Sequence, residues 1–199
     1  MKIIGVDPSM TATGLCAWDG TTSTVKTVAK QRDNRLRVIR EAVADQAWST
    51  APLTERGGRA VQIRNREGMS VPHFPVDLAV VEEPIHYRAK VTTAAMWMVQ
   101  AAVRMALMDA GVPYVVVNNQ WVKAYAGGGG HDKDAMAAAA YETDGSVFAD
   151  DNQCDAWWLR QMAMDHYGLL RLGTRRVAPS QRAWLDKVEW PELETGAEL

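Results

Sequence analysis

The stretch IIGVDPS, at residues 3–9, decides how the fold begins. Its first four residues form a short apolar run, which is typical of a buried strand. Asp7-Pro8-Ser9 is typical of the turn that ends such a strand. The sequence therefore predicts an opening strand with Asp7 at its carboxyl end.

Two further strands are predicted directly after this turn. Residues 13–18 form a second apolar run, and the Asp-Gly pair at 19–20 is typical of a hairpin. Residues 22–28 are rich in β-branched side chains, which favour strands. The chain therefore begins with three antiparallel strands.

Helices and strands alternate over the rest of the sequence. The patterns predict a helix capped by Asn34, strands at 78–81 and 114–117, and helices at 92–109, 132–142 and 150–166. The predicted fold class is α/β, with a mixed five-stranded sheet of three antiparallel strands and then parallel strands, flanked by helices. Residues 1–168 are predicted as one domain, and residues 169–199 as a C-terminal tail.

An inserted basic loop is predicted at residues 48–77, where glycines and prolines interrupt the regular pattern. A loop of this length in a compact domain is usually functional or disordered. Its arginines could neutralise DNA phosphates, or the segment could be a solvated surface loop. These arginines are Arg56, Arg59, Arg64 and Arg66.

Composition excludes several classes of protein. The 199 residues are 47% hydrophobic and 23% charged, with a formal net charge of −2, so neither a disordered chain nor a uniformly basic DNA coat is expected. Two cysteines are too few for a disulfide scaffold. No apolar run approaches the length of a membrane span, so we expect a cytoplasmic protein without a membrane partner.

Acidic residues lie at the ends of predicted elements. Asp7 and Glu82 end strands, and Asp151 and Asp155 lie one helical turn apart. Carboxyl ends of neighbouring parallel strands meet at one sheet edge, where a packed helix would gather all four acids. Two carboxylates about 4 Å apart repel by about 4 kcal/mol at an effective dielectric constant of about 20, so the cluster needs protons or cations.

Oxygen ligands without histidine or cysteine suit Mg²⁺ or Mn²⁺, and a pair of such ions can hydrolyse a phosphodiester. Each acid also has a structural interpretation, as a turn, a solvated charge or a residue that complements a helix dipole. Asp155, however, lies beyond the first helical turn in an apolar run. The combination predicts metal-dependent phosphodiester hydrolysis.

These motifs, in this order, resemble those of the RuvC-type Holliday junction resolvases, members of the ribonuclease H-like superfamily. The resemblance covers residues 1 to about 168, which would then form a nuclease domain. The matches are IGVDPS with Thr13-Gly14 at 4–14, VVEEP at 80–84, Lys123 with GGGGHDK at 127–133, and DNQCDA at 151–156.

The resemblance implies a homodimer that binds branched DNA and nicks two strands of a four-way junction, using Mg²⁺, with Mn²⁺ able to substitute. It implies that Asp7, Glu82 and Asp155 are catalytic metal ligands. Lys123 and Lys133 would contact the scissile phosphate or its transition state. The helix at 92–109 would be available for the dimer interface, or would belong to the core.

The sequence departs from the family pattern in places. Asn152 stands where the family has its fourth ligand, so Asp151 is predicted as a metal ligand and catalytic residue instead. Ile85 stands where the family often has an aromatic wedge. The inserted segment looks like those of phage-borne members. His131, Arg64 and Arg66 are further candidate DNA contacts.

Other functions remain open. The same core could cleave RNA–DNA hybrids or single strands, or the chain could bind junctions without cleaving them. An actin-like ATPase fits poorly, because the sequence has no second phosphate loop. The glycine run at 127–130 lacks the Gly-Lys-Ser/Thr ending of a P-loop, so no nucleotide cofactor is expected.

Overall fold

A computed structural model describes residues 1–49, 61–64, 70–84, 90–127, 133–170 and 177–193. The strands are β1 (Ile3–Asp7), β2 (Ala12–Cys16), β3 (Thr22–Lys26), β4 (Trp48–Ser49), β5 (Val61–Arg64), β6 (Ser70–Pro75), β7 (Leu78–Glu82) and β8 (Tyr114–Val117). The helices are α1 (Asn34–Gln46), α2 (Lys90–Asp109), α3 (Asn119–Gly127), α4 (Lys133–Asp144), α5 (Asp151–His166) and α6 (Pro179–Arg182), with 3₁₀ turns at Ala29–Gln31 and Leu185–Lys187.

The main sheet has the strand order β3-β2-β1-β7-β8. The first three strands pair antiparallel, and β7 and β8 continue the sheet in parallel with β1. The predicted mixed five-stranded α/β sheet is therefore confirmed. Every residue of β1 and β7 is buried, as expected for central strands covered on both faces.

Alternating side chains divide the core between the two faces of this sheet. Ile3 and Val80 belong to the apolar cluster that contains α5. Val6 and Val81 belong to the cluster on the opposite face, with α1 and α2. Because the side-chain period of a strand is two, Asp7 and Glu82 lie on the same face as Ile3 and Val80, under α5.

Helix α5 lies unusually close to the sheet because two glycines face it. A Cβ atom on Gly5 would lie 1.9 Å from the carbonyl oxygen of Ala156, and one on Gly14 would lie 1.9 Å from that of Asn152. Only a residue without a side chain allows this approach. The two glycines thus set the height of α5 above the ends of β1 and β2.

The prediction of an irregular inserted loop at residues 48–77 is wrong in part, because this segment contains strands. β4, β6 and β5 form a second sheet in that order. Glycine and proline content concealed these strands, since a proline can occupy a strand position that needs no amide donor. Arg64 ends β5, whereas Arg56, Arg59 and Arg66 lie outside the described residues.

The helices differ from the sequence prediction in smaller ways. Helix α3 was not predicted, because its nine residues are too few for a clear helical pattern, although Asn118 caps it by accepting from the backbone amide of Gln120. Asn34 is the first residue of α1 and not its cap, which is Asp33. Helix α2 begins at Lys90, earlier than predicted.

The described part of the predicted tail packs on the domain. Leu185 and Val188 are buried in the cluster that contains α5, and the hydroxyl of Tyr167 donates to the carbonyl oxygen of Pro191 at 2.7 Å. Packing therefore continues beyond the predicted boundary at 168/169. In the ranges that the structure describes, no helix is long and apolar enough to cross a membrane.

Candidate active site

Asp7 and Glu82 end neighbouring parallel strands and lie side by side. The register pairs Val6 with Val81, which places the two acids next to each other. They are only 8% and 6% exposed, and their carboxyl groups lie close enough to act on each other electrostatically. Burial, followed by the charge of Glu82, raises the pKa of Asp7 well above its usual range.

The turn after Asp7 is held by its own sequence. The hydroxyl of Thr13 donates to the carbonyl oxygen of Ser9 at 2.7 Å, and the backbone amide of Ser9 donates to that hydroxyl oxygen at 3.1 Å. The Ser9–Thr13 contact closes the turn against the start of β2. The carboxyl end of β1 is therefore fixed.

Glu82 is held by polar side chains from two other elements. The amide of Asn119, at the start of α3, donates to Glu82 Oε1. The amide of Gln100, buried in α2, donates to the backbone carbonyl oxygen of Glu82 at 2.6 Å. Both the backbone and the carboxylate of Glu82 are thus fixed from outside their own strand.

Asp155 covers this pair from α5. Burial, and then the charge of Glu82, raises the pKa of Asp155 to about 7, although the nearby cations Lys123 and Lys133 oppose the shift. The charge of Asp155 in turn contributes to the raised pKa of Asp7. The three acids, from distant parts of the sequence, therefore interact electrostatically.

Asp151 lies at the rim of this site. Its Oδ2 atom is 2.5 Å from Nζ of Lys133, and both side chains are largely exposed. The hydrogen bond that Lys133 donates to Asp151 is the main reason why the pKa of Lys133 is raised. The charge of Asp151 also raises the pKa of Asp155, but its effect is smaller than those of Glu82 and the two lysines.

The neighbouring Asn152 points towards the start of α5. Its amide nitrogen lies 3.4 Å from Oδ1 of Asp150, which caps the helix by accepting from the backbone amide of Gln153. The hydroxyl of Thr24 in β3 also donates to Asp150. The cap thus ties the first turn of α5 to the sheet.

The donor chemistry of Asp7, Glu82 and Asp155 fits a divalent cation. Their oxygen atoms are hard ligands, and negative charges gathered at a largely buried position need compensation, which a divalent cation can supply. Within the described ranges, no three Asp, Glu, His or Cys side chains form a ready-made metal centre. The three acids therefore suit a divalent cation by the type of their ligand atoms, by their burial and by their charge.

Other predicted contact residues are only partly described. Lys123 lies on α3, near enough to Asp155 to affect its pKa. His131, Arg66 and Ile85 lie outside the described residues, as do most of the glycine run at 127–130. Arg64 is the last residue of β5.

Sequence reasoning missed Asn119 and Gln100. The signal for Asn119 was present, because it follows a strand parallel to those that end at Asp7 and Glu82. Polar side chains after parallel strands meet at the same sheet edge. Gln100 had no such signal, since its contact depends on how α2 crosses the end of β7.

The sheet order, with α5 across one face and acids at the strand ends, defines a ribonuclease H-like α/β fold. Among solved structures the fold is that of RuvC. Thermus thermophilus RuvC in complex with Holliday junction substrate has a TM-score of 0.60 and 18% sequence identity, covering 89% of this chain and 100% of that chain. A second Thermus thermophilus RuvC structure has a TM-score of 0.58 and 21% identity, with the same coverage.

No protein-family model and no curated protein sequence matches this chain. The RuvC-type resemblance found in the motifs is confirmed at the level of the fold. A phage-type origin stays a prediction, as do the individual site residues.

Proposed function

We propose that this protein is a divalent-metal-dependent, structure-selective endonuclease that resolves four-way (Holliday) and related branched DNA by hydrolysing phosphodiester bonds in paired strands. The observation that carries the proposal is the placement of the buried Asp7 and Glu82 at the adjoining ends of two parallel strands, with Asp155 of α5 close enough to affect their charges. A structural role would not require two buried acids side by side with a third, half-buried acid next to them, because each raises the cost of ionising the others.

Asp7, Glu82 and Asp155 would hold Mg²⁺, with Mn²⁺ able to substitute, and Asp151 is proposed as a fourth ligand. When bound, such ions activate a water molecule and stabilise the leaving oxygen of a phosphodiester. The chain itself presents the acids on rigid elements, since β1 and β7 are central strands and α5 is pressed onto them.

Lys123 and Lys133 would contact the phosphate beside these acids. Both cations lie near enough to Asp155 to oppose the rise in its pKa. An ammonium group is a compact point charge, suited to stabilising charge that develops on a phosphate. His131, Arg64 and Arg66 are proposed as further substrate contacts.

Branched DNA is proposed as the substrate class because the chain shares its fold with RuvC, one structure of which contains a Holliday junction substrate. The activity would serve DNA recombination and repair in the cytoplasm. Proposed partners are therefore branched DNA and, as argued next, a second copy of this chain.

Homodimerisation is supported by an apolar stripe on α2. We define the α2 stripe as Trp97, Met98, Met105 and Met108, which are 43% to 59% exposed. Their spacing places them along one side of the helix. A contiguous exposed apolar surface is typical of an interaction site, and a twofold dimer would present two acidic sites to two strands.

The proposal is tested by incubating the purified protein with labelled four-way, three-way and linear DNA, and with an RNA–DNA hybrid. Each substrate is tested with Mg²⁺, Mn²⁺ or EDTA. We expect paired nicks in the four-way junction, only with a divalent metal. Asp7→Asn should keep junction binding and lose about 10³-fold in cleavage, since metal catalysis supplies several kcal/mol and each 1.4 kcal/mol is tenfold.

Asp45→Asn, at an exposed position of α1, is the matched control and should cleave normally. Preferred cleavage of the RNA–DNA hybrid would favour a ribonuclease H-like nuclease instead. Junction binding without cleavage under any metal would favour a non-cleaving junction protein. Normal cleavage by Asp7→Asn would reject the assignment of the site.

A further inference from the structure

We infer that Asn119 is a positioning residue, whose side-chain amide holds the Glu82 carboxylate in the orientation that binds a divalent cation. The inference rests on the proposed function, because it assumes that Glu82 is a metal ligand. It concerns a residue that carries no charge and was not among the candidates from sequence.

The position of Asn119 makes this contact possible. Asn119 is the first residue of α3 and lies two residues after Val117, the last residue of β8. Strand β8 pairs in parallel with β7, so that Val117 lies opposite Glu82. The backbone amide of Glu83 donates to the carbonyl oxygen of Val117 at 2.8 Å, which ties the two strand ends together. The start of α3 is therefore held beside the Glu82 side chain.

The chemistry of the contact gives it a direction. The amide nitrogen of asparagine only donates hydrogen bonds. In this contact Asn119 is therefore the donor and Glu82 Oε1 is the acceptor. Gln100 fixes the backbone carbonyl of the same residue at 2.6 Å. With its backbone held by Gln100 and one carboxylate oxygen held by Asn119, Glu82 has little freedom to turn away from Asp7.

Loss of the Asn119 amide would remove the hydrogen bond that fixes one oxygen of this buried carboxylate. A ligand that must be reoriented at each binding event binds its cation more weakly. Removal of a residue that orients a metal ligand typically costs about 10–100-fold in metal affinity. We therefore expect the effect of Asn119 to appear in metal affinity before it appears in folding.

Asn118 provides a matched control beside it. Its amide donates to Glu83 Oε2 at 2.6 Å, and its Oδ1 accepts from the backbone amide of Gln120 at 2.9 Å. Asn118 is thus a neighbouring asparagine that supports the start of α3 without contacting Glu82. Asn118→Ala makes the same change in composition with no predicted effect on the orientation of Glu82.

The experiment measures Mn²⁺ binding to the full-length protein by calorimetric titration and by the electron paramagnetic resonance signal of free Mn²⁺, without DNA. Wild type, Asn119→Ala, Asn118→Ala and Asp7→Asn are compared, and their melting temperatures are recorded in EDTA. We expect Asn119→Ala to bind Mn²⁺ about 10–100-fold more weakly. Asn118→Ala should stay within about twofold of wild type, and each variant should be folded at the titration temperature.

Wild-type affinity in Asn119→Ala, together with weakened binding in Asp7→Asn, would overturn the inference while leaving the proposed metal site intact. Equal weakening in Asn118→Ala and Asn119→Ala would also overturn it, because the cause would then be the start of α3. If wild type and Asp7→Asn bind Mn²⁺ alike, the proposed site itself is wrong and the inference fails with it.

Discussion

The carbonyl oxygen of Ala156 in α5 lies directly over Gly5 in β1, so that a Cβ atom on the glycine would be only 1.9 Å from it. Gly5 lies two residues before Asp7, and Ala156 directly follows Asp155. The contact that sets the height of the helix therefore also sets the separation of two of the acids. Substrate chemistry at this edge depends on a backbone-to-backbone contact.

Gly5→Ala should displace α5, because the added methyl group meets backbone atoms that cannot rotate away. Overpacking of this kind costs about 1–3 kcal/mol, or more where backbone must shift. The melting temperature should fall by about 2–4 °C for each kcal/mol in a chain of this size. Thermal unfolding in EDTA measures the loss of stability, and cleavage in Mg²⁺ measures the consequence of displacing α5.

Gly127→Ala is the matched control for this change. Nothing lies within 4 Å of a Cβ atom built on Gly127. The control should therefore keep its stability and its cleavage rate. An unchanged melting temperature in Gly5→Ala would mean that α5 does not rest on the sheet as described.

Asp155→Asn should stabilise the metal-free protein at neutral and higher pH. The folded-state pKa of Asp155 is about 7, above the value of about 3.9 for an unfolded chain, because burial and the charge of Glu82 disfavour its ionised form. As pH rises between these values the unfolded chain loses its proton first, so the native state loses stability until about pH 7. The asparagine, which does not ionise, removes this loss.

The expected gain is at most about 4 kcal/mol at pH 8, since each pKa unit corresponds to about 1.4 kcal/mol. It should disappear near pH 4, where both states of the wild type hold the proton. Chemical denaturation in EDTA at pH 4, 6 and 8 measures it, with Asp45→Asn as the control. A pH-independent difference between wild type and Asp155→Asn would contradict the shifted pKa.

The strand ends were predictable from sequence, because Asp7 and Glu82 each follow a short apolar run that is buried on both faces. Their contact followed from the rule that parallel strands end at one edge. The strands β4, β5 and β6 were not predictable, since short strands with prolines have weak local signals and depend on pairing. The contacts of Asn119 and Gln100 depend on how separate elements pack, which local sequence does not encode.

Lys133→Ala should slow cleavage far more than it weakens junction binding. Lys133 lies beside the acids but is mostly exposed. Its ion pair with Asp151 therefore contributes at most about 1 kcal/mol to the free energy of unfolding. Loss of a charge that stabilises the transition state typically costs about 10²–10³-fold in rate. Single-turnover cleavage and gel-shift binding separate the two effects.

Lys30→Ala, at an exposed position on the 3₁₀ turn, is the control for loss of one positive charge. It should leave the cleavage rate unchanged. If Lys133→Ala weakens binding and leaves the rate of the bound complex intact, then Lys133 anchors the substrate and takes no part in the chemical step.

Met105→Glu should convert the proposed dimer to monomers. Met105 lies within the α2 stripe and is half exposed in the isolated chain. A charge at the centre of an apolar interface is costly unless it is paired. Light scattering after gel filtration gives the mass, and Val147→Glu, at another exposed apolar position, is the control. A monomeric wild type would reject the dimer outright.

Asp151→Asn compared with Asn152→Ala tests the identity of the fourth ligand. Asp151 carries the charge and is separated from Asp155 by one helical turn, whereas the amide of Asn152 is directed towards the cap residue Asp150. We therefore expect Asp151→Asn to lose at least about tenfold in Mg²⁺-dependent cleavage and in Mn²⁺ affinity, and Asn152→Ala to keep both. Because Asp151→Asn also removes the partner of Lys133, its Mn²⁺ affinity is measured in the Lys133→Ala background as well. A loss that disappears in that background would assign Asp151 to the placement of Lys133, and a loss in Asn152→Ala alone would assign the fourth ligand to Asn152.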